Sequence, residues 1–188
     1  MGPRFKLARS LGENVFNHPK ALNRGVKKRG KISDYGKQLL EKQKLKAYYG
    51  VLEKQFKRYA LDALKSRVNP GEALVQRLET RLDNIVYRLG FAQTLRQARQ
   101  MVVHGHILID GQKVDRPSYK VKINQVISLR EKSRKNKMFS ESFQSSLVSL
   151  SYLEKKTEDF SGKLTKLPPR EEVPISVVDS YIIEFYSK

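Results

Sequence analysis

The stretch from Thr80 to Leu129 constrains the fold more tightly than any other part of the chain. Leu82, Ile85, Val86 and Leu89 recur at i, i+3, i+4 and i+7, one apolar stripe on a helix. Gly90 follows, where a left-handed residue commonly stops such a helix. Thr94 with Gln97 three residues on is the capping-box pattern, in which the side chains satisfy orphan backbone donors at a helix start. The helix it opens carries Leu95, Ala98, Met101 and Val102 inward and projects Arg96, Arg99, Gln100 and His104. That outer row of hydrogen-bond donors suits phosphate. Gly105 ends the helix, residues 106–109 read as a short strand, and Asp110-Gly111 is a two-residue hairpin signal that sends residues 112–114 back. After Arg116-Pro117, Tyr119, Val121 and Ile123 alternate with Lys120 and Lys122, which predicts a strand with one apolar and one cationic face. The expected unit is two helices against a small sheet, with one basic side.

The segment before this unit is helical in pattern. Ser33-Asp34-Tyr35-Gly36 leads into a helix with Leu39, Leu40 and Ala47 near one face and Lys37, Lys42, Lys44 and Lys46 around the rest. A second, from Val51 to about Lys65, turns Leu52, Phe56, Tyr59, Ala60, Ala63 and Leu64 inward and Lys54, Lys57 and Arg58 outward. Asn69-Pro70-Gly71 is a turn. The helix begun by Glu72, Ala73, Leu74 and Leu78 can continue without a break into the Leu82 stripe. Residues 1–31 hold few hydrophobic repeats and the run Lys27-Lys28-Arg29-Gly30-Lys31, so they read as an extended basic arm. Gly2-Pro3 is a poor helical start and no apolar leader core follows, so the opening is taken as mature sequence. In the tail, Met138, Phe139, Phe143, Leu147 and Leu150 can line a short helix. Tyr152-Leu153 and residues 163–167, around an acidic loop containing Gly162, read as a hairpin. Residues 181–186 read as a last apolar strand added to the central sheet.

Charge says more about partners than length does. Lys and Arg number 38 against 19 Asp and Glu, a net +19, which is the footprint of a protein that meets a polyanion. Residues 1–50 hold 13 basic and 3 acidic side chains, 51–100 hold 10 and 5, and 101–137 hold 9 and 3. Residues 138–188 reverse the balance with 6 and 8, so the last quarter is expected to serve packing and protein contact. No apolar run approaches the roughly 20 residues of a spanning helix, so no membrane partner is expected. The chain has no cysteine, hence no disulfide framework or thiolate metal site, which fits a reducing compartment.

Particular motifs carry a resemblance. T-x-R-Q-A-R-Q-x-V-x-H-G-H-I from Thr94, D-G-x-x-V-D-x-P-S-Y from Asp110 and V-x-x-N-Q-V-I-S-x-R-E-K-S from Val121 resemble the S-four RNA-binding domain, in the version found in small-subunit ribosomal protein four. That domain also occurs in pseudouridine synthases, aminoacyl-tRNA synthetases and ribosome-rescue factors. K-x-S-x-Y-G-x-Q-L-x-E-K-Q-K-L-x-x-x-Y-G-x-x-E-x-Q-F, from Lys31 to Phe56, is similar to the helical domain of the ribosomal family and discriminates among these carriers. RLDNIVYRLG and the terminal EFYSK match as well. The chain lacks the four N-terminal cysteines of zinc-holding members and the Pro-Gly-Gln-His-Gly segment of others, so it resembles the zinc-free bacterial or organellar type.

The resemblance implies an α+β protein: a basic arm (1–32), a helical subdomain (33–78) with the C-terminal tail nearby, an S-four-type αα-β domain (79–137) with a small mixed or antiparallel sheet, and a helix, hairpin and strand (138–188). It implies a structural component of the small ribosomal subunit that binds the 5′ domain of its rRNA, nucleates assembly and affects decoding accuracy. It would lie beside ribosomal proteins three and five and mRNA near the channel through which mRNA enters. Its place would be the cytoplasmic ribosome, or an organellar one, with no homo-oligomer. RNA contact is expected from Arg4, Lys6, Arg9, Lys27, Lys28, Arg29 and Lys31 in the arm, and from Tyr35, Lys42, Lys44, Lys46 and Arg58 in the helical subdomain. In the central domain it is expected from Arg81, Arg96, Arg99, Gln100, His104, His106, Lys113, Arg116, Ser118, Tyr119, Lys120, Arg130, Lys132 and Lys135.

Other chemistry is weighed and set aside. His104, His106 and Asp110 make H-x-H without a third convergent ligand, so no metal and no cofactor is expected. Arg81-Leu82-Asp83 is similar to the R-L-D of pseudouridine synthases, whose aspartate is the nucleophile. Here Leu82 continues an apolar stripe, and Asp83 beside Arg81 and Arg88 reads as a helix-surface ion pair. No GxxxxGK[ST] loop is present and no catalytic residue is assigned. A modifying enzyme, or a free RNA-binding regulator or rescue factor, is the alternative.

Overall fold

The computed structural model describes residues 3–27, 30–148 and 150–187; Lys28 and Arg29 of the expected RNA-contacting arm lie outside them. The fold is α+β and divides into two compact units, Met1–Leu74 with Pro174–Lys188, and Val75–Val173. The segment 138–188 is thus split, its last residues belonging to the first unit.

In the first unit, helix α1 (Arg4–Leu11) starts directly after Pro3 and ends on Gly12, whose φ of 77° lets its N–H close on Ala8 O. The extended arm is corrected: Ala8 and Leu11 are buried, and Leu11 shares a small core with Val15 and Ala47. Cations on either side hide this short stripe in the sequence. Ser33 Oγ caps α2 (Asp34–Tyr48) by accepting from Gly36 N–H at 3.2 Å. Its buried stripe is Gln38, Glu41, Lys42 and Leu45, too polar for hydropathy to reveal. Helix α3 (Glu53–Leu64) buries Phe56, Tyr59, Ala60 and Ala63, but Leu52, expected inward, is 64% exposed just before it.

The largest correction is at the C-terminus. The strand expected at 181–186 is a helix (Asp179–Ser187, α9 below) packed on α2 and α3, outside the sheet altogether. Ile182 is its buried anchor. Gln38 Nε2 donates to Glu184 Oε2 at 2.9 Å and Tyr186 OH to Glu53 Oε1 at 3.0 Å. Ile182, Phe185 and Tyr186 stand at i, i+3 and i+4, helical spacing that a run of apolar residues conceals.

The division between the units falls within α4 (Pro70–Glu79). Thr80 Oγ1 turns back on Gln76 O at 2.8 Å, Arg81 is extended at φ −68° and ψ 140°, and α5 (Leu82–Arg88) begins afresh, so no continuous helix runs into the Leu82 stripe. No side chain caps α5. Instead Leu82 N–H donates to Tyr119 O at 2.9 Å and Asp83 N–H to Pro117 O at 3.1 Å, while Val121 N–H donates to Thr80 O at 2.9 Å. Those backbone groups are therefore engaged, and the strand expected at 119–123 is reduced to one bridge between Arg81 and Lys120.

The sheet of the second unit is antiparallel throughout, in the order β2 (Gln112–Lys113), β1 (Ile107–Ile109), β3 (Val126–Leu129), β5 (Ser161–Leu164), β4 (Leu153–Lys156). Asp110 and Gly111 at φ 48° and 80° make the tight β1–β2 turn, as the dipeptide predicts. Ile107, Ile127, Leu129 and Leu164 meet Leu82 and Ile85 of α5, Leu89 just after it, and Ala98, Met101 and Val102 of α6 (Leu95–Val103) in one core. After α7 (Glu131–Arg134), α8 (Lys137–Ser145) adds Phe139 and Phe143, the latter stacked on Phe91 at 4.2 Å. Met138 and Leu147, expected to line this helix, are 51% and 98% exposed; Leu147 lies beyond its end. Gly162 sits within β5 and not in the hairpin loop, paired with Ile127 and Lys155, and Leu89 Cδ2 would stand 2.6 Å from a β-carbon there.

Candidate nucleic-acid interface

The second unit supplies the better-defined surface, and α6 is its centre. Thr94 Oγ1 accepts from Gln97 N–H at 3.2 Å, while Gln97 Oε1 accepts from Gln93 N–H at 3.0 Å, one residue earlier than the capping box predicts. Burying Ala98, Met101 and Val102 forces Arg96, Arg99, Gln100 and His104 outward, and all four are exposed. At the C-terminal end Gly105 has φ 71°, and the Lys113 stem lies across it, its Cε 2.3 Å from where a β-carbon would stand. The hairpin lysine is thereby brought to the end of α6.

Next to it, His106 Nδ1 lies 2.8 Å from Ser133 Oγ and the ring stands edge-on to Phe139 at 5.1 Å. The His104 ring is 6.1 Å from it, and Arg130 N–H donates to His106 O at 2.8 Å. Partial burial, then His104 and Arg130 nearby, push the His106 pKa down. Lys132 and Lys135 are exposed on and just after α7.

The loop 116–121 exposes Arg116, Ser118 and Lys120 and buries Val121, and it is not loose. Tyr119 N–H donates to Arg116 O at 3.0 Å, and Gln125 Nε2 donates both to Tyr119 OH at 3.2 Å and to Asp110 Oδ2 at 3.1 Å. Asp110 Oδ1 accepts from Val126 N–H at 2.9 Å. Arg116, Ser118 and Lys120 therefore project from a backbone pinned to the α4–α5 junction on one side and to the hairpin on the other, which lowers the ordering cost of binding. Asp110 and Gln125 are scaffold residues that the sequence alone does not single out; the aspartate's place in the hairpin turn is the available signal.

Arg81 is not on the surface. Its guanidinium forks onto Asp83, Nε to Oδ1 at 3.0 Å and Nη2 to Oδ2 at 2.6 Å, with the two side chains 2% and 1% exposed. Burial raises the Asp83 pKa against the opposing pull of Arg81. The expected surface pair is thus an interior one, and Arg88 pairs instead with Glu79 at 2.8 Å. The role of the Arg81–Asp83 pair is to hold the junction that receives Pro117 O and Tyr119 O.

In the first unit the sequence-derived cations separate into two groups. Lys42 is buried, 2.8 Å from Glu53 Oε1 and 4.3 Å above the Phe185 ring, so its expected place on an RNA surface is corrected. Lys44 bonds Glu41 at 2.8 Å and Lys46 bonds Glu53 at 2.8 Å, both only half-buried. Arg9 Nε donates to Gly25 O at 3.0 Å and Arg4 is half-buried beside Phe5. Lys6, Lys27, Lys31 and Arg58 are exposed, as is Tyr35, whose ring lies 5.7 Å from Phe185. Among the described residues no three His, Asp or Glu side chains stand together as a metal-ligating group, and no helix is long and apolar enough to cross a membrane.

Comparison with known proteins agrees with this architecture. Residues 1–79 match the family described as Ribosomal protein S4/S9 N-terminal domain, and residues 80–127 match the S4 domain. The chain is 63% identical over 188 residues to small ribosomal subunit protein uS4B of Clostridium acetobutylicum, covering all of this chain and 97% of that protein. It is 51% identical over 195 residues to small ribosomal subunit protein uS4 of Finegoldia magna, and 45% identical over 195 residues to uS4 of a Geobacillus species, in each case covering all of this chain and 98% of the other. With matches of that identity running from end to end, the chain belongs to the uS4 family of small ribosomal subunit proteins.

Proposed function

We propose that the chain serves as a structural, non-enzymatic component of the small ribosomal subunit and binds its rRNA directly. The observation that carries this is the cluster on the second unit: Arg96, Arg99, Gln100 and His104 along α6, continued by Lys113, His106 and Arg130 at its end. A-form RNA hides base edges in a deep groove, so donors on a rigid frame grip phosphates and ribose hydroxyls and read shape. Arg116, Ser118, Tyr119, Lys120, Lys132 and Lys135 extend the surface; in the first unit Lys6, Lys27, Lys31, Tyr35 and Arg58 supply contacts. The buried Lys42 and Arg81 hold the two frames.

The finer reading is that the protein binds the 5′ domain early, nucleates assembly, and later stands beside ribosomal proteins three and five where mRNA enters, influencing accuracy. The family membership supports it, as does the acidic balance of residues 138–188, which suits protein contact better than RNA. The three relatives are bacterial, which favours a cytoplasmic over an organellar ribosome. Replacing Arg96 and Arg99 with glutamate tests the core of the proposal. Affinity for small-subunit rRNA should fall at least about tenfold at moderate salt, as phosphates go unneutralised, with the far-ultraviolet circular dichroism unchanged. Unaltered affinity would refute it.

A further inference from the structure

The sheet of the second unit has a face that the core does not use. Ile127, Leu129, Leu153 and Leu164 point into the core, so strand alternation turns Val126, Glu154, Lys156, Ser161 and Lys163 to the other side. There Lys163 Nζ bonds Glu154 Oε2 at 2.9 Å, and Val126, 41% exposed, stands opposite Lys163 in register. Ser161 is paired with Lys156 in the adjoining row. With Asn124 just before β3 and Asp159 in the β4–β5 turn, these side chains line a cleft of about 380 Å³.

Two features set the cleft apart from the rest of the surface. Its charged side chains are two carboxylates and two ammoniums, a net charge of zero in a chain of net +19. With Glu154 and Lys163 neutralising each other, Lys156 and Asp159 are exposed and, among the described residues, in no ion pair. Ser161 is only 7% exposed, yet its hydroxyl, without a hydrogen-bond partner among the described residues, opens on the cleft. A hydroxyl so placed loses its water when it is covered, and whatever covers it must supply a hydrogen bond.

We propose that this cleft is a docking site for an extended segment of a neighbouring protein chain, one that sets an arginine against Asp159 and a nearby carboxylate against Lys156. The inference rests on the reading of the chain as a component of the small subunit. An arginine fork matches a carboxylate with two parallel hydrogen bonds and is enriched at protein interfaces, and the segment's backbone supplies the polar groups that Ser161 and the Asn124 amide require. RNA fits poorly, because a phosphate entering here meets Asp159 and Glu154, with Glu158 exposed at the hairpin tip. A free small solute fits poorly too: the rim residues Asn124, Lys156 and Asp159 are all exposed, so a solute would keep much of its surface in water.

Cross-linking in reconstituted small subunits tests it. Because the chain has no cysteine, Glu158→Cys can carry a benzophenone beside the cleft. Irradiation should attach it to one segment of a neighbouring protein, identified by mass spectrometry, in which an arginine lies close to an aspartate or glutamate. Adding Asp159→Arg with Lys156→Glu leaves the net charge unchanged and opposes both contacts, so it should lower the yield per incorporated chain at least about fivefold while the affinity of the free chain for naked small-subunit rRNA stays the same. Cross-links only to rRNA, no cross-link in subunits that contain the chain, or a yield indifferent to the double reversal overturns the inference and leaves the rRNA-binding reading standing. Failure of the wild-type chain to enter the subunits would overturn that reading, and the docking site with it.

Discussion

Glu79 is wholly buried, and its carboxylate is the hub of the second unit's interior. It accepts from Asn84 Nδ2 at 2.8 Å, Arg88 Nη2 at 2.8 Å, Arg88 Nε at 3.3 Å and Tyr152 OH at 3.0 Å. Burial and this carboxylate together drive the Tyr152 pKa up, so the phenol stays a donor. Truncation by Glu79→Ala leaves an Arg88 guanidinium 10% exposed without its counter-charge, and a buried Tyr152 hydroxyl without its acceptor. Asn84 fares better, because it also donates to the Glu79 backbone O at 3.0 Å. An orphaned buried charge costs about 3–5 kcal/mol and an unsatisfied hydroxyl about 1–3 kcal/mol, and the two overlap, so we expect about 4 kcal/mol in all. At roughly 4–8 °C per kcal/mol for a domain of this size, the thermal midpoint should drop by about 20 °C. Tyr152→Phe removes one charge-assisted bond and leaves the ion pair intact, so it should cost only about 1.5 kcal/mol. Replacing both charged partners, Glu79→Leu with Arg88→Met, should recover at least half of the loss, because the orphaned charge is what hurts. Urea unfolding followed by circular dichroism measures all three variants. A loss below about 1 kcal/mol for Glu79→Ala, or a double variant less stable than the single one, would refute the reasoning.

Two further perturbations follow from the same structure. Hydrogen bonds from Lys42, Lys46 and Tyr186 outweigh the burial that opposes them and hold the Glu53 pKa down at about 2, below its ordinary 4.5. A depressed carboxylate stabilises above its unfolded pKa and loses that contribution as pH falls through the folded one. The stability advantage of the wild-type protein over Glu53→Gln should therefore be full above about pH 5 and shrink steadily towards pH 2; a pH-independent difference would contradict this. At Gly162 a β-carbon would stand 2.6 Å and 2.8 Å from the Leu89 methyls and 2.9 Å from Glu154 O, so Gly162→Ala should overpack the core by about 1–3 kcal/mol in equilibrium unfolding, whereas a neutral result would mean the sheet yields freely.

The parts of the fold legible in the sequence are those where local chemistry and burial agree. Thr94, Gly105 and Asp110-Gly111 mark helix start, helix stop and turn by backbone demands that no neighbour can override, and the α6 face carrying Arg96, Arg99, Gln100 and His104 follows from them. Sequence misleads where a segment answers to a distant partner. The alternation at 119–123 is strand-like, yet the carbonyls of Pro117 and Tyr119 cap α5 some 35 residues earlier in the chain. The apolar run at 181–186 fits strand or helix equally well by composition, and only the surface offered by Gln38, Lys42 and Glu53 decides for a helix. Lys42 reads as a surface cation because nothing local announces that Glu53 lies within bonding distance, and the Arg81–Asp83 pair reads as a surface pair because nothing local announces that packing buries both side chains. Charge counts can find an RNA-binding protein but cannot tell a paired cation from an exposed one.

The most direct test of the account is equilibrium binding of the purified chain to naked small-subunit rRNA, with large-subunit rRNA as control, across a salt series. Selective binding to the small-subunit RNA, weakening with a log–log slope on the order of −5 to −10 as several phosphates lose their counter-charges, is the result the account predicts. Equal affinity for both RNAs, or a slope near zero, would contradict it.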